Sequence, residues 1–162
     1  MIKIIFLDVD GTLTDGGIYL SNSGEEMKKF NVRDGFGIQE WQRIGNLAAI
    51  ITGKSSAIVA KRASDLKIKH VYQGVKDKFT VAEQILKQEN LTWDEAAAIG
   101  DDTNDIRLLR AVGISFRPKD ALHSVPAKFT LTKKGGHGAV REMIEMLVDA
   151  NGQREAWDAK WL

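Results

Sequence analysis

Cysteine is absent from the 162-residue chain, so disulfide staples, thiolate nucleophiles and thiolate metal sites are all excluded. Proline is scarce: the two present are Pro118 and Pro126, and no Pro-rich linker divides the chain. Charge of one sign is lacking as well. Twenty-three Lys and Arg stand against 22 Asp and Glu, for a formal net charge of +1, a balance that gives no hint of a nucleic-acid or membrane-surface partner. Apolar runs such as Ala48–Ile51 are far too short to span a bilayer. The first residues, Met1 to Leu7, run straight into acidic residues without a small-residue cleavage site. They do not read as a signal peptide, and the expectation is a soluble, cytoplasmic protein.

What is present is an alternation of short apolar runs and amphipathic stretches. Strand candidates are Lys3–Leu7, Leu47–Thr52, His70–Gln73, Ala96–Gly100 and Gly113–Phe116, with a weaker one at Lys128–Leu131. Most are apolar on both faces, as parallel strands covered from two sides are. Helical spacing marks Ser55–Leu66, Asp77–Gln88, Asn104–Val112 and Gly138–Ala150, with a further helix around Ile38, Trp41 and Ile44. Thr92 to Glu95 reads as a capping box. The alternation predicts an α/β fold with a doubly wound, mainly parallel sheet. Residues 1–150 would form a single domain and 151–162 a C-terminal tail. A turn-rich segment at about 17–30, with Ser21-Asn22-Ser23-Gly24 at its centre, reads as a β-hairpin inserted after the first strand.

Chemistry concentrates where strands end. Asp8-Val9-Asp10-Gly11-Thr12 follows the first strand, and two carboxylates held close at a strand end call for a cation or a shared proton. Mg²⁺ suits such hard oxygen ligands, and the amides of Gly11 and Thr12 offer a turn that can meet a phosphate. Asp-x-Asp alone would more often be a solvated turn. A second acidic cluster, Gly100-Asp101-Asp102-Thr103-Asn104-Asp105, follows the strand Ala96–Ile99. Thr52-Gly53 ends another strand, and Lys78 opens the helix after a fourth. Each residue has an ordinary explanation as cap or surface charge. Four such groups at four strand ends point together to one phosphate-handling site.

In this order, Asp8-Val9-Asp10-Gly11-Thr12, Thr52, Lys78 and Gly100-Asp101-Asp102 resemble the four motifs of the haloacid dehalogenase-like phosphotransferases. The resemblance implies Asp8 as nucleophile and Asp10 as general acid and base. It implies Mg²⁺ held by the Asp8 side chain, the Asp10 main-chain carbonyl and Asp101, with Thr52 and Lys78 on phosphoryl oxygens. Asp102 and Asp105 would stand behind these. Neither the stretch between Asp10 and Thr52 nor that between Lys78 and Asp101 holds a cap domain.

Further segments are similar to one branch, the 3-deoxy-D-manno-octulosonate 8-phosphate (KDO 8-phosphate) phosphatases of lipopolysaccharide precursor synthesis. These are Asp15-Gly16-Gly17, Gly24-Glu25-Glu26, Phe30 to Ile38, Tyr72-Gln73-Gly74 and Gly135 to Glu142. By that resemblance Asn31, Val32, Arg33, Asp34, Gly35, Gly53, Lys54, Arg62, Lys78 and Asn104 lie near the substrate. It also implies a homotetramer whose hairpins meet at its centre and whose C-terminal tails reach a neighbour's site. The branch usually has Arg where Lys54 stands, and lysine lacks the planar fork that grips a carboxylate. The alternative substrate is a nine-carbon, sialic-type 2-keto-3-deoxy acid phosphate; the non-enzymatic alternative is a receiver-like phospho-acceptor.

Overall fold

The computed structural model describes all 162 residues. Six strands form one parallel sheet: β1 (Ile4–Leu7), β4 (Leu47–Ile51), β5 (His70–Tyr72), β6 (Ala96–Ile99), β7 (Ile114–Arg117) and β8 (Phe129–Thr130). Their order across the sheet is β5-β4-β1-β6-β7-β8. Every pair is parallel, with Leu7 opposite Ile50 on one side and Ile99 on the other. The chain winds outward from β1 to β5, then crosses back to β6 on the far side of β1. That reversal opens a crevice beyond the carboxyl ends of β1 and its neighbours. The doubly wound α/β sheet expected from the sequence is thus observed, with no cap domain.

Both faces of the sheet are covered, and β1 shows why its run is apolar throughout. Ile5 and Leu7 enter the larger core with Ile38 and Trp41 of α1 (Val32–Arg43), Val59 of α2 (Ala57–Asp65), and Met143 and Ile144 of α5 (Ala139–Ala150). Ile4 and Phe6 face the other way, against Ala82 and Ile85 of α3 (Lys78–Glu89) and Leu108 and Leu109 of α4 (Ile106–Ala111). Side chains alternate across a strand, so a strand with helices on both faces has no room for polar residues. No helix is long and apolar enough to cross a membrane.

Three local differences from the sequence reading have physical causes. The hairpin is reduced to β2 (Tyr19–Leu20) and β3 (Glu26–Met27), with a further bridge between Thr14 and Phe30 at its base. Its strands are exposed and pack on no core that would extend the pairing. Helix α1 begins earlier than its apolar spacing suggests, because Asn31 caps it by accepting a 2.9 Å bond from the Arg33 amide. The last residues do not trail away from the body. Arg154–Asp158 form α6, Trp157 is 4% exposed within the larger core, and the Trp161 indole donates to Glu40 at 2.9 Å. Asn151 bonds both the amide and the carbonyl of Ile2, tying this end of the chain to its beginning.

The C-terminal segment therefore carries stability within its own chain. Trp157→Ala should cost about 3–5 kcal/mol, the usual range for truncating a buried aromatic. At this chain length that lowers Tm by roughly 10 °C. Urea unfolding followed by tryptophan fluorescence checks it; an unchanged midpoint would mean that α6 is not part of the core.

Candidate active site

Each chemical group sits where a buried strand runs out. Asp8 follows β1; the next residues cannot continue the strand because the amides of Thr12, Leu13 and Thr14 all turn back to the Val9 carbonyl at 2.9–3.1 Å. This loop turns through Gly11, whose φ is +87°. A Cβ there would lie 2.1 Å from Asp101 Oδ2, so glycine alone fits. A second loop seals the turn from behind: a Cβ on Gly135 would meet the Gly11 carbonyl oxygen at 1.8 Å. Beside it the Gly136 amide donates to the Thr12 carbonyl at 3.0 Å.

Three carboxylates, those of Asp8, Asp101 and Asp105, place oxygen atoms within 4.8 Å of one another. One ammonium serves two of them, since Lys78 Nζ lies 2.6 Å from Asp8 Oδ1 and 2.6 Å from Asp105 Oδ1. Burial alone would lower the Lys78 pKa, but the two carboxylates outweigh it and raise it, so the lysine is held as a cation. Thr12 is fully buried, and its hydroxyl stands 3.3 Å from both Asp8 Oδ2 and Asp101 Oδ1. Asp105 Oδ2 accepts the amides of Asp101 and Asp102 at 3.0 and 3.2 Å, which fixes the Asp101 loop to the lysine's other partner. Burial, followed by the hydrogen bond and repulsion from Asp8, pushes the Asp101 carboxyl up to about 8. Burial and the Asp8 charge raise Asp105 also, with Lys78 opposing. Lys78 leaves this trio short of positive charge, and an all-oxygen donor set of that kind fits Mg²⁺.

The cleft above them is a polar hollow of about 300 Å³, lined by no hydrophobic side chain. Asp8, Asp10, Gly11, Thr52, Gly53, Lys54, Asp101 and Asn104 all face it. So most of the site read from the sequence is gathered in one place. The amides of Gly11 and Thr12, expected to be free for a phosphate, are committed to the loop itself: Gly11 donates to Thr14 Oγ1 at 3.1 Å and Thr12 to Val9. The hydroxyl of Thr12, not its amide, reaches the carboxylates.

A second group is not brought to this cleft within one chain. Asn31, Asp34, Gly35 and Arg62 line a small separate cavity with Phe30 and Leu13. Arg33 faces another cavity with His137 and Arg141, and Val32 is exposed. Asp34 joins α1 to α5 by accepting the Arg141 amide at 2.8 Å. Its other oxygen is buried without a partner, and burial pushes its pKa up to about 6. Sequence reasoning missed Lys28, which is bonded to the Asp10 carboxylate from the hairpin. Its one available signal is a cation two residues after Glu26 in the second arm of the hairpin.

The Asp101 shift has a consequence for stability. A carboxyl whose pKa rises from about 3.9 unfolded to about 8 folded stabilises the fold only while protonated, so its contribution is lost as pH climbs between those values. Between pH 6 and 8, above the Asp34 transition, the chelator-treated protein should lose stability in urea titrations. Asp101→Asn should flatten that slope.

Comparison with known proteins agrees with this geometry. A family model described as haloacid dehalogenase-like hydrolase matches residues 39–137. The chain is 40% identical over 154 residues to the 3-deoxy-D-manno-octulosonate 8-phosphate phosphatase KdsC of Escherichia coli K12, covering 94% of this chain and 82% of that one. Identity to the Haemophilus influenzae protein of the same name is 38%, across 97% and 88% of the two chains. A crystal structure of the Moraxella catarrhalis phosphatase with magnesium, phosphate and KDO superposes with a TM-score of 0.95 at 37% identity, over 99% of this chain and 94% of that one. With its motifs gathered at the strand ends of the matching fold, this chain belongs to the haloacid dehalogenase-like hydrolases, in the branch of the KDO 8-phosphate phosphatases.

Proposed function

We propose that the cleft hydrolyses the phosphomonoester of 3-deoxy-D-manno-octulosonate 8-phosphate through a phosphorylated Asp8. The observation that carries this reading is the paired contact of Lys78 with Asp8 and Asp105 at the floor of an otherwise acidic cleft. It holds one carboxylate oxygen of Asp8 and leaves the other aimed toward Thr12 and Asp101. The cofactor is Mg²⁺. It would be held by the Asp8 side chain, the Asp10 carbonyl and Asp101, and would supply positive charge that lets a phosphate dianion and a carboxylate approach each other.

In the first half-reaction an Asp8 carboxylate oxygen bonds to phosphorus as the bond to the sugar oxygen breaks. Asp10 gives its proton to that departing oxygen. In the second, Asp10 takes a proton from water as the water oxygen attacks phosphorus, which frees Asp8 and inorganic phosphate. Lys78 and the Thr52 hydroxyl would steady the equatorial oxygens as charge moves onto them. The backbones of Gly11 and Gly53 border the phosphoryl group, while Lys54 and Asn104, which also line the cleft, would meet the sugar acid.

Substrate choice is supported by the relatives' shared name and by a cation at Lys54 suited to the substrate carboxylate. The nine-carbon alternative has no comparable support. Membership of a hydrolase family sets aside the receiver-like reading. Self-association as a homotetramer is supported by the hairpin, which exposes Tyr19, Leu20 and Met27 at 45%, 69% and 64%. Such a cluster is unusual on a surface facing only water. Val32 and Arg33, exposed and outside the lining of their own cleft, would then serve at the border between copies. The cytoplasm is the proposed compartment, since a charged sugar phosphate does not cross an apolar layer unaided.

Phosphate release from KDO 8-phosphate should exceed that from a nine-carbon acid phosphate in kcat/KM; the reverse order would reassign the substrate. Asp8→Asn should abolish turnover. Asp10→Asn should lose about 10²–10⁴-fold while still gaining thermal stability from Mg²⁺. In the unaltered protein, Mg²⁺ at 100 times its Kd should add about 2.7 kcal/mol, read as a rise in Tm that EDTA reverses and Asp101→Asn removes.

A further inference from the structure

Within the proposed reaction, the hairpin does more than expose an apolar surface. Lys28 follows β3 directly, yet its side chain is only 1% exposed, whereas the adjacent Met27 is 64% exposed. The side chain runs inward from an otherwise exposed hairpin. A sheltered ammonium is costly unless it is paired, and its partners are Asp10 Oδ1 and, at 3.4 Å, Glu26 Oε1. No other protein group hydrogen-bonds the Asp10 carboxylate. The hairpin that carries Lys28 is braced at its base by the Thr14–Phe30 bridge. A bond of 3.0 Å from the Tyr19 hydroxyl to Asp15 Oδ2 braces it further.

We infer that Lys28 is a positioning residue for Asp10: from the hairpin it holds one carboxylate oxygen and leaves the other to carry the proton toward the departing ester oxygen. This rests on the role of Asp10 proposed above. An aspartate has two side-chain torsions, and in a polar cleft where its side chain is 27% exposed an untethered carboxylate would spend much of its time turned away. Anchoring Oδ1 leaves Oδ2 as the proton carrier. When the phosphorus–oxygen bond breaks, the Oδ2 proton passes to the alkoxide and the Asp10 carboxylate that remains keeps its bond to Lys28. The lysine neither gains nor loses a proton. The reverse transfer from water, in the second half-reaction, finds the same oxygen in the same place.

A leaving-group comparison separates this role from a general structural one. KDO 8-phosphate releases an alkoxide that needs a proton, whereas p-nitrophenyl phosphate releases a phenolate that leaves unaided. Lys28→Met should lower kcat/KM for KDO 8-phosphate by about 10–100-fold, part of the full acid contribution, and for the aryl ester by less than about threefold. Lys28→Arg, which keeps a cation on the hairpin, should recover most of the loss. Equal losses on the two esters would overturn the inference, and so would no loss on either. Should the Met variant fail to fold, Lys28→Gln provides the same comparison with a polar side chain. If the unaltered protein releases no phosphate from KDO 8-phosphate, the substrate reading fails by itself. The Lys28 comparison then runs on whichever alkyl phosphate the protein does hydrolyse.

Discussion

The buried ammonium of Lys78 is the interaction on which the rest of the site depends. Three carboxylates at one end of a sheet repel one another and lose hydration, and either effect alone would favour protonation or separation. A single cation, bonded to Asp8 and Asp105 at the same 2.6 Å, offsets part of that repulsion and leaves the trio short of counter-charge. A shortfall of that kind, on oxygen donors alone, suits a divalent ion. Asp105 also accepts the amides of Asp101 and Asp102. The lysine thereby reaches through it to the loop that presents the third carboxylate, so that all three carboxylates share one framework.

The sheet supplies what side chains alone could not. The order β5-β4-β1-β6 sets the ends of four strands next to one another, although their residues are scattered from Asp8 to Asp101. Parallel strands release their next residues in the same direction. Thr52, Lys78 and Asp101 therefore converge on Asp8 by topology, and each loop has only to turn sharply enough. Apolar residues on both faces of β1 keep the strand from shifting, which holds Asp8 in place.

Much of this was legible in the sequence, for reasons that differ from element to element. Apolar runs such as Ile4–Leu7 and Ala96–Ile99 read as buried strands because burial on both faces leaves no alternative composition. The residues at their ends read as a site because polar groups recurred at equivalent places. The hairpin strands were harder to bound, since two exposed residues on each side carry almost no pattern. Helix α1 starts ahead of its apolar stripe because Val32 and Arg33 lie outside it, and only the Asn31 cap marks its start. Resemblance groups Asn31 to Gly35 with the cleft, whereas contacts within one chain turn Asp34 toward α5. Trp157 and Lys28 illustrate the remaining limit. Burial of a residue near a chain end, or of a lysine on an exposed hairpin, is decided by distant contacts that local spacing does not encode.

The glycine loop against the turn after Asp8 also bears on how the molecule acquires its activity. Gly135 approaches the Gly11 carbonyl so closely that no side chain fits between them, and Gly136 bonds the Thr12 carbonyl. The loop bearing Asp8 lies far in sequence from the residues that form its rear wall. Contacts spanning so much sequence form late and slowly, because the long loop between them must be closed first. The turn after Asp8 would thus take its final form only once the segment around Gly135 has docked behind it.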